Sequence, residues 1–246
     1  MQTECSYELS ARNIHIWTLP TVAADAVVAR FEHVLSTDEI EFASRFRFDH
    51  LRNSFVIRRG ALRHLLGRYE KTDPANIQFN RGPKGKPELK PATGLQFNVS
   101  HSGGMAAIAL CTHCQIGIDL EKIRPLPEME DIANRVFCSE EVTEIMSMPQ
   151  CEQMHAFFRC WTRKEAYVKA IGDGLFAPLN SFRVTVRVDA PVRFVHLGGD
   201  ATAAAGWTLH DLNLAADYAA ALAYCDRPRS ISIFPVADPA EFLNPI

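Results

Sequence analysis

Apolar residues along this chain follow two periods, and the places where the period changes mark out its elements. Asn13–Leu19 alternates apolar and polar side chains and predicts a strand. Ser36-Thr37-Asp38-Glu39 is a capping-box pattern, with Ser36 as N-cap and Glu39 reaching back, and predicts a helix to about Phe48. A second helical stripe, Phe55, Leu62, Leu65 and Leu66, runs through residues 51–69. Residues 80–94, rich in Gly, Pro and Lys, read as a loop. Residues 95–100, 105–111 and 115–121 are strand candidates, and the short turns between them predict an antiparallel meander. A mostly helical stretch follows Pro127 and runs to about Ile171, and four more strand patterns cover 182–188, 192–197, 207–212 and 218–224. Helices then a meander, twice over, predict an α+β fold of two similar halves, each an antiparallel sheet packed with helices. The junction falls near residues 112–114, although no internal sequence repeat is visible.

Composition narrows the class. Of 246 residues, 47 % are hydrophobic and 22 % charged, the balance of an ordinary folded soluble protein. A net charge of −3 gives no overall pull toward nucleic acid or a membrane surface. The seven cysteines are odd in number and irregularly spaced, which predicts reduced thiols in a cytoplasmic protein. The N-terminus has no basic start leading into an apolar run, and no apolar stretch reaches the roughly 18 residues of a membrane span.

Three segments carry candidate chemistry. On a strand over 115–121, Ile116, Ile118 and Leu120 share one face and Gly117, Asp119 and Glu121 the other. Asp119 and Glu121 are then solvated surface acids, or they converge on a hard cation that relieves their repulsion, with Gly117 leaving space beside them. On the helical pattern 157–170, Glu165 and Lys169 share a face with Phe158 and Trp161. That pair is a surface ion pair or part of a metal-phosphate site. Ser100-His101-Ser102-Gly103-Gly104 is a polar hairpin turn or a phosphate cradle.

Charge is locally uneven. Between Arg45 and Arg68 lie seven arginines and one acid, Asp49, and Arg81, Lys84, Lys86 and Lys90 follow. The tract suits a polyphosphate ligand, and nucleic acid is the second reading. Gly82–Lys86 is too short for a phosphate-binding P-loop and has Pro87 where Ser or Thr belongs. Cys111 and Cys114 lack a second Cys/His pair at zinc spacing.

In order along the chain, GKP at 85–87, FNVSHSGG at 97–104, GIDLEKIRP at 117–125 and FFRCWTRKEAYVKAIGDGL at 157–175 resemble the 4'-phosphopantetheinyl transferase superfamily. The likeness is to its larger, monomeric class, typified by the surfactin synthetase-activating enzyme. It implies a pseudo-dimer in which residues 1–113 contact the nucleotide of coenzyme A. Residues 114–246 then carry the metal-binding carboxylates and dock an apo acyl or peptidyl carrier protein. It implies Mg²⁺, with Mn²⁺ as an alternative, on Asp119, Glu121 and Glu165. Arg45, Arg52, Arg63, Lys86, Ser100, His101, Asp119 and Lys169 would contact coenzyme A. The carrier serine would attack the β-phosphorus, expelling adenosine 3',5'-bisphosphate, with Glu165, directly or through a metal-bound water, as base and Lys169 and His101 stabilising charge. Carrier docking is expected near 125–148, through Phe137, Met146 and Met148 and steered by Lys122, Arg124 and Arg135. A phosphodiesterase and a non-catalytic coenzyme A or carrier-binding module are the rival functions.

Overall fold

The structure, a computed structural model, describes residues 7–82, 85–172 and 178–244, leaving out the side chain of Arg81. The first half runs β1 (Asn13–Pro20), α1 (Asp25–Glu32), α2 (Thr37–Ala43), α3 (Asp49–Glu70), β2 (Gln78–Arg81), β3 (Pro87–Lys90), β4 (Leu95–Ser102) and β5 (Met105–Thr112). The second runs β6 (Ile116–Lys122), α4 (Met129–Val136), α5 (Ser139–Met146), α6 (Gln150–Ile171), β7 (Phe182–Val184), β8 (Phe194–Leu197), α7 (Ala201–Ala204), β9 (Thr208–Asp211) and β10 (Tyr218–Tyr224), and β11 (Ser230–Pro235) ends the sequence of strands. Apart from α7 and β11 the two runs repeat: a strand, three helices, a hairpin, two strands. In each half the first strand pairs antiparallel with the last, and the last with the one before it, giving β1-β5-β4 and β6-β10-β9.

Burial explains the layering. Trp17, Leu19, Ile108 and Leu110 turn one face of the first sheet toward Ala61, Leu62 and Leu65 of α3. Ala221 and Ala223 turn one face of the second toward Phe157 and Ala166 of α6. The other faces, Ile14, Ile16, Ala107 and Ala109 against Ile116, Ile118, Leu120 and Leu222, close on each other as a third core. The order is helix, sheet, sheet, helix.

Several expectations need correction. α2 stops at Ala43, not near Phe48, and α3 starts afresh at Asp49. Residues 80–94 are not simply loop: β2 and β3 form a hairpin in which Phe79 lies opposite Leu89 and packs edge-on against Phe97. The meander ends at β5, because β6 pairs with β10 instead. The four later strands are shorter than their patterns, apart from β10. β11, unforeseen, pairs in parallel with β1, and Val236 and Phe242 beyond it pack into the first core. The chain after 229 therefore folds back onto the half it began with. Cys5, Lys84 and the Asp173-Gly174-Leu175 end of the long motif lie outside the described residues.

Candidate functional site

The two halves meet where β4 runs beside β6, and side chains replace the missing backbone ladder. Asn98, Ser100 and Ser102 alternate along β4 and accept from the backbone N–H groups of Ile118 (2.9 Å), Leu120 (3.1 Å) and Lys122 (3.1 Å). The same two serines hold the two acids that alternate on β6. Ser100 Oγ donates to Asp119 Oδ1 at 3.0 Å, and Ser102 Oγ to Glu121 Oε2 at 2.7 Å. Ser100 also accepts from Lys169 Nζ at 2.8 Å. One donated and two accepted bonds saturate a hydroxyl, so Ser100 has nothing left for a phosphate and serves as the joint of the seam. Ser102, expected in a turn or phosphate cradle, instead joins the seam; the signal for that is the period of two in Asn98, Ser100, Ser102.

Helix α6 lies across the acidic face of β6. Lys169 Nζ approaches Asp119 Oδ1 to 2.6 Å. The other oxygen of that buried carboxylate, Oδ2, has no hydrogen-bond partner among the described residues. Burial and the neighbouring carboxylates of Asp119 and Glu121 push the Glu165 carboxyl above its usual range. Glu121 is raised in the same way, by burial and by Asp119, although Ser102 pulls against it. Three acids thus crowd one lysine. Among the described residues no three His, Cys, Asp or Glu side chains stand close enough to hold a metal as placed. An orphaned buried oxygen and mutually repelling carboxylates are nevertheless what a hard cation satisfies, and an all-oxygen donor set suits one. In their chemistry, though not in their spacing as placed, the residues suit a divalent ion.

Gly117 does a different job from the expected one. A Cβ there would come within 2.1 Å of Ala166 O and 2.4 Å of Ala170 N. The missing side chain admits α6, not a ligand, and that close approach puts Glu165 and Lys169 over Asp119. The next lysine back in the motif, Lys164, points away. It is fully buried in an ion pair with Glu141 (2.8 Å) and also donates to the carbonyls of Leu179 (2.8 Å) and Phe182.

The arginine tract is mostly committed inside the protein. Arg63 is a correction: only 2 % exposed, its guanidinium holds Glu39 (2.7 Å) and the carbonyls of Pro74 (3.2 Å) and Ile77 (2.7 Å), with no face open to a nucleotide. Arg59 binds the other oxygen of Glu39, Arg52 pairs with Glu32, and Arg68 holds Tyr7 and the carbonyls of Glu241, Phe242 and Asn244. Arg45 is exposed. Lys86 bridges the halves, donating to Ile116 O (2.9 Å) and Ala170 O (3.0 Å), and burial lowers its pKa to about 8. It also lines a cavity of about 170 Å³ between α3, the hairpin and β4, together with Phe55, Arg58, Phe97 and Val99. His101 lies further along the same face of β4, exposed at its rim. Partial burial first, then the charges of Arg58 and Lys169, lower its pKa. Arg58, whose own pKa burial lowers to about 10, lines the same cavity and is not distinguished from its neighbours by sequence. On the expected docking segment, Phe137 and Met148 are core and Met146 packs against them, while Lys122, Arg124 and Arg135 are exposed.

Comparisons with known proteins follow this division. A profile described as "AASDHPPT_N: 4'-phosphopantetheinyl transferase, N-terminal" matches residues 23–113, and one described as "ACPS: 4'-phosphopantetheinyl transferase superfamily" matches 115–223. The 4'-phosphopantetheinyl transferase HetI of a Nostoc species is 37 % identical over 188 residues, covering 75 % of this chain and 79 % of its own. The chain belongs to the 4'-phosphopantetheinyl transferase superfamily. The transferase Sfp of Bacillus subtilis is 31 % identical over 66 % of this chain and 71 % of its own. Among solved structures, Thermotoga maritima holo-[acyl-carrier-protein] synthase superposes on 46 % of this chain and 62 % of its own, with a TM-score of 0.35 and 19 % identity. Members of the superfamily act on coenzyme A with a divalent metal. Among the described residues, no helix is long and apolar enough to cross a membrane.

Proposed function

We propose that this chain transfers the 4'-phosphopantetheine arm of coenzyme A to a serine of an apo acyl or peptidyl carrier protein, releasing adenosine 3',5'-bisphosphate. The convergence of Asp119, Glu121, Glu165 and Lys169 on one side of the seam carries the reading. Asp119, Glu121 and Glu165 would hold magnesium, or manganese in its place, and the ion supplies positive charge to the diphosphate. The nucleotide end lies toward the first half, where the cavity beside Arg58 and Lys86 opens near His101. Arg45 and Arg52, at the start of that face, reach the phosphates from outside, Arg52 after leaving Glu32.

Lys169, which pairs with Asp119, would move onto diphosphate oxygens once the acids are otherwise neutralised, so one charge would serve both the carboxylates and the reacting diphosphate. His101, neutral without ligand, gains a proton beside a phosphate and then donates to it. Glu165, on the helix that crosses the acidic strand, would accept the proton of the attacking carrier hydroxyl. Ser100 and Ser102 fix the carboxylates from behind. We read the enzyme as a cytoplasmic monomer, and as one without a nucleic-acid partner because most of its arginines are tied to its own carboxylates and carbonyls.

Incubation with coenzyme A, magnesium and an apo-carrier tests the reading. Mass spectrometry should find phosphopantetheine on the carrier serine, and a carrier unchanged in mass across several carrier classes would defeat it.

A further inference from the structure

We propose that Cys111 and Cys114 form a reversible oxidation site, a thiol pair that a peroxide closes to a disulfide at the joint between the two halves. The proposal stands apart from the transferase reading. Cys111 lies near the end of β5 and Cys114 in the turn to β6, so the pair flanks the covalent link from the first half to the second. Both are free and buried, 0 % and 8 % exposed, and their sulfurs stand 3.3 Å apart. A bonded pair needs about 2.05 Å, so closure asks the two sulfurs to approach by roughly 1.3 Å.

The backbone holds the thiols together. His113, between them, has a φ of 57° and donates its N–H to Gly94 O at 2.8 Å. Its ring lies so close over Gly94 that an added Cβ there would come within 2.3 Å of it. Two cations bracket the turn. Arg229 donates to Thr112 O at 2.9 Å, and Lys86 to Ile116 O at 2.9 Å.

The two sulfurs are unequal, as a redox pair requires. The two sulfurs share a hydrogen bond, and that bond and burial raise the Cys111 pKa. Cys114 is lowered by the same hydrogen bond and by Arg229, and it keeps the exposed edge. Its thiolate attacks one oxygen of hydrogen peroxide: an S–O bond forms, the O–O bond breaks, and water leaves after protonation. The sulfur of Cys111 then attacks Cys114 sulfur; the S–S bond forms, the S–O bond breaks, and a second water carries away the Cys111 proton. Two thiols lose two electrons, peroxide gains them, and an external dithiol reverses the change.

The test treats the full chain with hydrogen peroxide, blocks the remaining thiols with N-ethylmaleimide in denaturant, and weighs the proteolytic peptides. The peptide containing both residues should carry no maleimide, be lighter by two hydrogens, and regain two labels after dithiothreitol. Cys151→Ser and Cys225→Ser, at exposed thiols, should leave this unchanged, and Cys114→Ser should abolish it. Full labelling of the 111–114 peptide at doses that oxidise Cys151, or a link from Cys114 to Cys225, would overturn the proposal.

Discussion

The two halves use one scaffold for two ends. In each, a glutamate near the start of the second helix caps that helix and then pairs with a cation on the following 22-residue helix. Glu39 accepts from Ser36 N and Arg63, and Glu141 from Cys138 N and Lys164. Arg63 and Lys164 occupy the same place along α3 and α6, and each also holds two carbonyls of the chain that follows its helix. One residue further on, the halves part company. α3 offers His64 and, a turn later, Arg68, whereas α6 offers Glu165 and Lys169. The strand beneath α3 presents Trp17 and Leu19 to an apolar core, and the strand beneath α6 presents Asp119 and Glu121. The buried pair belongs to the scaffold, and the next helical position decides whether a half is a brace or a chemical site.

Breaking the shared device should have the largest effect. Lys164→Met leaves Glu141 buried without a cation and should cost about 3–5 kcal/mol in urea unfolding. Arg63→Met should cost less, because Arg59 still contacts Glu39. Equal losses would mean that Arg59 gives Glu39 no cover and that the halves are braced identically.

The next position separates them by function. Glu165→Gln should keep the circular dichroism of the parent and lower carrier loading by roughly 10²–10³, while His64→Gln should load at the parent rate. Near-parent loading by Glu165→Gln would remove it from the mechanism. Glycine gives a third contrast. Gly117→Ala drives a methyl into the α6 backbone and should cost at least about 1–3 kcal/mol, together with turnover. Gly60→Ala meets the buried side chain of Phe31, which must shift, and should cost stability without altering the chemistry.

Features that need only nearby residues were legible. The Ser36–Glu39 capping box was, and so was the alternation that puts Asp119 and Glu121 on one face of a strand. The matching cap in the second half was not, because Cys138 stands where Ser, Thr or Asp is expected, and the internal repeat stayed hidden with it. Strand partners depend on residues far away in sequence: β6 prefers β10 over its neighbour β5, and β11 returns across the molecule to β1. Arginine is the plainest case. Arg63 reads as a surface cation until Glu39, a separate helix away, takes it into the core. The same ignorance of the tertiary surroundings hid the placement of Arg58 beside a cavity.

The smallest effect concerns His64, the first-half counterpart of Glu165. Its Nε2 is buried with no hydrogen-bond partner among the described residues, and its ring packs edge-on against Phe31. Burial first, and the charge of Arg68 next, lower its pKa from 6.5 to about 4. Between those values the unfolded chain binds a proton that the folded chain refuses, so stability rises with pH across that window and is lost as pH falls through it. His15 and His210 are also lowered by burial and add slopes of the same sign. His64→Gln should therefore flatten, without abolishing, the fall in unfolding free energy between about pH 6.5 and 4. An unchanged slope in that variant would show that His64 titrates normally in the fold. The slot on α3 would then be open to water and charge, and the contrast with Glu165 would rest on residue type alone.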